Sequence, residues 1–370
     1  MHILICNWKD LAHPAAGGAE VFTHECARRW AGRGHTVTQI CAAVDGRPAI
    51  EIVDGVRILR HGSRIGVYKA VRRFLRYHAD RFDVVIDEIN TRPFFAHHHA
   101  GATPVVALAH QVAREVWQHE TPRPLSLLGR YVLEPRWLPD YAGVPTLTIS
   151  ASSAASLARY GVRDTTVVPV GVEADPSSAP EVAAAAAVPK AEAPTLAFCG
   201  RLVAMKRPGD AIAAFAAARD HLGAEATLEI IGTGPLEASL RAAAPPGVRF
   251  LGRVSEAEKY RRLARAHALL VTSVREGWGL VVSEAAAVGT PSIAYDVAGL
   301  RDSVRAANGV LVPQDPAALA DAVRYWVPRF KARPPQPLAH GGAHDWDTVA
   351  DAVLEAVVVA MGRGGDRLAA

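Results

Sequence analysis

The sequence predicts an α/β protein of two tandem domains, each an open parallel sheet flanked by helices. Three observations carry this. Short apolar runs alternate with amphipathic, helix-like segments along the chain. The runs are continuously apolar, as expected of strands covered on both faces of a parallel sheet. The alternation breaks once, at residues 173–194, and then restarts. A chain of 370 residues, half of them hydrophobic, is also too long for one ordinary core.

In chain order, strands are expected at 2–6, 36–41, 56–59, 84–87, 105–109 and 146–149. Residues 19–33 read as a helix between the first two, with Val21, Phe22 and Trp30 apolar and Gly34 as the stop, which makes a βαβ unit. The proline- and alanine-rich stretch 173–194 reads as a linker whose alanine run forms a turn or two of helix. Strands follow at 195–199, 227–231, 248–251, 268–271, 291–295 and 310–312. Residues 346–360 form a final amphipathic helix that packs back on the first domain. The expected domains are therefore 1–172, joined by the tail from 346 to 370, and 173–345. Ligands in such sheets bind beyond the carboxyl ends of the strands.

A formal charge of +4 is too modest for a nucleic-acid binder, which usually carries a dense basic face. Four scattered cysteines without a CxxC pair suit a reducing compartment. The chain enters a strand at once and holds no run of the roughly 20 apolar residues that span a bilayer. A cytoplasmic protein is expected, with peripheral contact at the inner membrane face left open.

The strongest chemical signal runs from Glu276 to Glu284, between a strand-like and a helix-like segment. Gly277 and Gly279 allow a sharp turn close to a ligand, and amides at the helix start, at Gly279, Leu280 and Val281, suit phosphate oxygens. The two glutamates suit sugar or ribose hydroxyls; the alternative is an ordinary glycine turn with solvated carboxylates. After the strand 195–199 come Gly200, Arg201 and Lys206. Two cations at a strand's carboxyl end suit a departing diphosphate. One cation at 4 Å contributes roughly 4 kcal/mol at an effective dielectric near 20, before desolvation. A solvated basic loop is the alternative. Gly17 and Gly18 form a second glycine loop feeding a helix, again an anion site, and the absence of GxGxxG counts against a dinucleotide oxidoreductase. His110 follows the strand 105–109 and either bonds a sugar hydroxyl, presents its carbonyl to developing positive charge, or is structural.

Further short matches fall in the same order along the chain: Gly34-His35-Thr36-Val37, Val168-Pro169-Val170-Gly171-Val172 and Gly232-Thr233-Gly234-Pro235. Together these segments resemble the retaining glycosyltransferase family 4 over nearly the whole length, with Val170 where the family usually has Asn. The resemblance implies a GT-B fold, two Rossmann-like domains facing across a cleft. It implies a nucleotide sugar of the UDP or GDP type as substrate, no cofactor and no metal. The acceptor would be a small molecule, a glycoconjugate or a lipid-linked sugar. It further implies that Arg201 and Lys206 clamp the diphosphate with amides at Gly279, Leu280 and Val281, that Glu284 holds the ribose, and that Glu276 and His110 meet the transferred sugar. Gly17 and Gly18 would approach the phosphate from the first domain, and Arg253 with Val254 would lie near the base.

Other signals weigh less. His97, His98 and His99 are adjacent, a spacing that does not let all three turn to one ion. Asp345-Trp346-Asp347 reads formally as DxD, but Asp347 looks like a helix N-cap. Asp87 to Asn90 either meet an acceptor or cap a helix. The basic segment from Lys69 to His78 is either a membrane-facing helix or one packing Val71, Phe74 and Leu75 inward. Residues 123–137 line an acceptor path or belong to a core. A nucleotide-sugar 2-epimerase of the same architecture is the alternative function, for which the Glu276–Glu284 pair with Arg201 and Lys206 is a poorer fit.

Overall fold

The computed structural model describes residues 1–173 and 179–368. Part of the expected linker, residues 174–178, lies outside them; the alanine run forms the helix Pro180–Ala186. The chain divides into two compact units. One comprises Met1–Arg114, Leu127–Val170 and the tail from Trp346; the other comprises Glu115–Ser126 and Gly171–Asp345.

The first unit carries strands β1 (His2–Cys6), β2 (Thr36–Cys41), β3 (Ile50–Val53), β4 (Val56–Arg60), β5 (Val84–Glu88), β6 (Val105–Ala109), β7 (Thr146–Thr148) and β8 (Thr165–Val167). Their order in the sheet is β3-β4-β2-β1-β5-β6-β7-β8, parallel except for the β3–β4 hairpin. Helices α1 (Gly18–Gly32) and α2 (Gly66–His78) follow β1 and β4. The final helix, Trp346–Leu368, packs against α1: Trp30 Nε1 donates to the Ala350 carbonyl at 2.8 Å, and the Phe22 and Trp346 rings meet edge to face. The core gathers Leu4, Ile40, Val71, Leu75 and Val85 on one side of the sheet.

The second unit carries β9 (Thr195–Cys199), β10 (Thr227–Ile231), β11 (Val248–Gly252), β12 (Ala268–Val271), β13 (Ser292–Tyr295) and β14 (Val310–Val312), ordered β11-β10-β9-β12-β13-β14 and wholly parallel. The segment 115–126, which the sequence boundaries put in the first domain, groups here. Val116 packs on Val203, Met205 and Val274, and Glu115 pairs with Arg275 at 2.8 Å.

In each sheet the chain leaves a central strand in both directions. Around β9 the next strand, β10, lies on one side and β12 on the other; around β1 these are β2 and β5. Adjacent strands whose following connections diverge leave a crevice beyond their carboxyl ends. No helix among the described residues is long and apolar enough to cross a membrane.

Candidate functional site

The crevice of the second sheet lies beyond β9 and β12. The loop after β9 is fixed by its backbone. Gly200 N donates to Ile231 O and Leu202 N to Thr233 O, each at 2.9 Å. A Cβ on Gly232 would sit 2.1 Å from the Gly200 carbonyl oxygen, so only glycine lets the two loops lie this close. Lys206 ends a short 3₁₀ turn, Ala204–Lys206. Thr272, just past β12, donates its hydroxyl to the Lys206 and Arg207 carbonyls at 2.8 and 2.9 Å. The ammonium of Lys206 then pairs with Glu276, whose same carboxylate oxygen accepts the Ser273 hydroxyl at 2.6 Å. Arg201 is half-buried, and among the described residues its guanidinium carries no hydrogen bond or ion pair.

Glu276 is itself held. Its amide donates to Ala298 O at 3.1 Å, and Gly299 (φ +83°) packs so tightly that a Cβ there would lie 2.1 Å from the Glu276 carbonyl oxygen. Gly279 caps the helix Leu280–Ala287. The amides of Leu280 and Val281 open that helix, where helical geometry supplies no acceptor. Glu284, in its second turn, pairs with Lys259 at 3.1 Å, and Lys259 also meets Glu256 at 2.5 Å. Burial disfavours the Lys259 ammonium, but Glu284, Tyr260 and Glu256 outweigh it and hold its pKa well above the usual range. Arg253 and Val254 follow β11, two strands from β9; Arg253 is exposed and Val254 half-buried.

The crevice of the first sheet lies beyond β1 and β5. Gly17, expected at the phosphate, lies at the start of α1 here. Its amide donates to its own helix's Glu20 at 2.7 Å, so it serves as a cap within α1. Gly18 is the first helical residue. Glu20 also pairs with Lys9 at 3.1 Å. His110 is buried beyond β6, with its ring edge-on to Phe22 and Nε2 4.0 Å from Glu88. Among the described residues neither ring nitrogen has a hydrogen-bond partner. Burial, and secondarily Lys9, lower its pKa to about 4, so the ring is neutral. The His110 carbonyl accepts the Ser153 hydroxyl at 2.8 Å, which gives that group a structural task. Glu88 is fully buried and bonded to Thr23 and Asn7. Burial raises its pKa to about 8; Glu20 and Asp87 push the same way, against Thr23 and Lys9.

The open alternatives from the sequence resolve as follows. Asp87 is structural, accepting from Phe94 N, Ala96 N and the Tyr141 hydroxyl. Val170 is buried. In α2, Val67, Val71 and Leu75 point inward while Lys69, Arg72, Arg73 and Arg76 are exposed. Leu125, Leu127, Leu128 and Tyr131 are exposed rather than core. Two of the three adjacent histidines do reach one group: His97 and His98 both bond Asp140, at 3.2 and 2.7 Å. Asp347 is not the N-cap, since the helix begins at Trp346; it pairs with Arg29 and Arg33 at 3.3 and 3.0 Å. Lys259, Ser273, Lys9, Asn7 and Thr23 escaped the sequence reading, because none belongs to a recognisable motif.

Comparison with known proteins agrees with this layout. Residues 16–176 match the model of Glycosyltransferase Family 4, and residues 193–327 match that of Glycosyl transferases group 1. A D-inositol 3-phosphate glycosyltransferase of Geodermatophilus obscurus is 31% identical, over 93% of this chain and 85% of that one. A GDP-mannose-dependent alpha-(1-6)-phosphatidylinositol dimannoside mannosyltransferase of Mycobacterium tuberculosis is 34% identical over 46% of each chain. Among solved structures, Anabaena HepE in complex with UDP and glucose superposes with a TM-score of 0.64 at 17% identity, over 100% of this chain and 99% of that one. With two Rossmann-like units, both family models in order and a relative matched over 93% of this chain, the chain belongs to glycosyltransferase family 4, has the GT-B fold and is a glycosyltransferase.

Proposed function

We propose that the chain moves a sugar from a nucleoside diphosphate sugar to an acceptor hydroxyl, retaining anomeric configuration and using no metal ion. The observation that carries this is the pairing of Lys206 with Glu276 beyond β9 and β12, next to a half-buried Arg201 that has no partner among the described residues. A diphosphate oxygen takes the Lys206 ammonium and the Arg201 guanidinium, and Glu276, relieved of Lys206, accepts hydroxyls of the transferred sugar. The Gly279, Leu280 and Val281 amides add to the diphosphate site. Glu284 holds the ribose, and Arg253 with the Val254 backbone lies by the base. Gly18 and His110 serve the reaction from the first unit.

As the bond from the anomeric carbon to the diphosphate breaks, an oxocarbenium-like centre forms and the acceptor oxygen attacks on the same face. The acceptor proton passes to the departing phosphate oxygen. Cations aimed at that oxygen act where charge develops, which is where such groups have most effect. HepE's bound UDP and the mycobacterial relative's GDP-mannose both fit this donor class. The relatives' inositol phosphate and phosphatidylinositol mannoside names favour a polyol or lipid-linked acceptor.

A thermal-shift panel of nucleoside diphosphates and their sugars tests the donor: a ligand at 100 times its Kd stabilises by about 2.7 kcal/mol. The best donor is then tested for acceptor-dependent release of nucleoside diphosphate in the presence of a chelator, with the product anomer assigned by NMR. Inverted product, or activity abolished by the chelator and restored by a divalent ion, overturns the mechanism. Epimerisation of the donor without acceptor would replace transfer as the function.

A further inference from the structure

We propose that Glu88 is a positioning residue that works as a neutral acid. Its carboxyl proton bonds Thr23 and holds the first turns of α1 against β5. While uncharged, it leaves the His110 ring free to bond a hydroxyl of the sugar. The His110 part of this rests on the functional reading above.

The hydrogen bonds leave a place for a proton on Glu88. Asn7 Oδ1 accepts from Lys9 N at 3.1 Å and from Asn90 Nδ2 at 2.8 Å, which fixes the amide. Asn7 Nδ2 therefore donates to Glu88 Oε2, at 2.6 Å. The other oxygen, Oε1, is 2.5 Å from Thr23 Oγ1. Thr23 has one hydroxyl proton for two acceptors, the Ala19 carbonyl at 3.0 Å and Glu88 Oε1. Thr272 shares its one proton between two carbonyls; a proton on Glu88 spares Thr23 that sharing and gives each contact its own donor. One oxygen accepting and one donating is the pattern of a carboxylic acid.

The surroundings favour that state. Facing Glu88 are Cys6 on β1, Cys26 and Glu20 on α1, Lys9 in the loop after β1, Asp87 on β5 and His110 beyond β6. Lys9, the cation that acts on Glu88, is already bound by Glu20. Loss of the proton to solvent would put a carboxylate 4.0 Å from His110 Nε2, a ring with no other partner. The neutral ring would be held as a donor to that carboxylate, and Thr23 would have one proton to share between Ala19 and Glu88.

The working form is present below the Glu88 pKa of about 8 and is lost above it. Wild-type turnover should be roughly tenfold lower at pH 9 than at pH 7. In Glu88→Gln the amide donates to Thr23 and its oxygen accepts from Asn7, and the group cannot ionise. That variant's ratio between pH 7 and pH 9 should stay within about threefold, with circular dichroism showing both proteins folded at both pH values. The same alkaline loss in Glu88→Gln overturns the proposal. An activity-free measurement runs beside it. The infrared carbonyl band of a protonated carboxyl should be present in wild type at pH 7, absent in Glu88→Gln, and lost as pH passes about 8. Absence of that band at pH 7 also overturns it. Failure to detect transfer from any nucleotide sugar would sink the functional reading instead, and the infrared band then decides the state of Glu88 by itself.

Discussion

Beyond β9 and β12, charges are paired and within reach of solvent: the Lys206 side chain is 24% exposed against Glu276, and Lys259 meets Glu284, itself 18% exposed. Beyond β1 and β5 the polar groups are sealed. Glu88 is 1% exposed, His110 is 5% exposed, and both are uncharged near neutral pH. The two crevices share a topology and differ in how they carry charge. A partly exposed ion pair can exchange its internal partner for a ligand at smaller desolvation cost than a sealed one, which suits an anion that must arrive and depart. A buried neutral network offers hydrogen bonds with fixed direction and no net charge, which suits hydroxyls.

The largest expected effect comes from breaking the charged side. Lys206→Ala should lower kcat about 10²–10³-fold while thermal unfolding moves little, because the pair is only partly buried. Steady-state release of nucleoside diphosphate checks this, and near-wild-type turnover would remove Lys206 from the leaving-group site. Next comes Gly299→Ala, which attacks the same side through the backbone. The new methyl would overlap the Glu276 carbonyl at 2.1 Å in a left-handed conformation. The loop must shift, at about 1–3 kcal/mol and with at least roughly tenfold loss of kcat/KM through misplacement of Glu276. Calorimetry and kinetics together should show both losses.

Lys259→Met should act more gently. It leaves Glu284 without its ammonium partner but keeps the side-chain volume. A change of about 1 kcal/mol in ribose contact corresponds to roughly fivefold weaker binding of the nucleoside diphosphate, read by titration calorimetry. Unchanged affinity in both Lys259→Met and Glu284→Ala would take the ribose away from Glu284.

These residues also mark what the sequence could and could not disclose. The parallel strands were legible because both faces are covered, so β9 and β12 read as unbroken apolar runs. β3 was missed because it is an edge strand with Ile50 and Ile52 exposed, held only by its antiparallel pairing with β4. β8 was missed because three residues beginning Thr-Thr carry little pattern. The Glu276–Glu284 segment was visible because one loop and one helix supply it. The Glu88 network was not, since its partners Asn7 and Thr23 lie 81 and 65 positions away. Gly17 is different: the glutamate three residues later is a readable capping signal, which stands beside the anion reading of the glycine loop.

The smallest expected effect sharpens the comparison from outside both crevices. Asp345-Trp346-Asp347 has the form of a metal–diphosphate motif, and a carboxylate with that task would have to reach the carboxyl ends of the strands. Asp347 instead meets Arg29 and Arg33 at the far end of α1. Arg29 is eleven residues beyond Gly18, roughly 16 Å along the helix axis from the glycine loop. Asp347 is 70% exposed, so its two arginine contacts contribute at most about 1 kcal/mol. Asp347→Asn should therefore lower the unfolding temperature by only a few degrees, more at low salt than at high, and leave kcat/KM within about twofold. A large loss of turnover with unchanged stability would move the catalytic carboxylates away from Glu276 and return DxD to the chemistry.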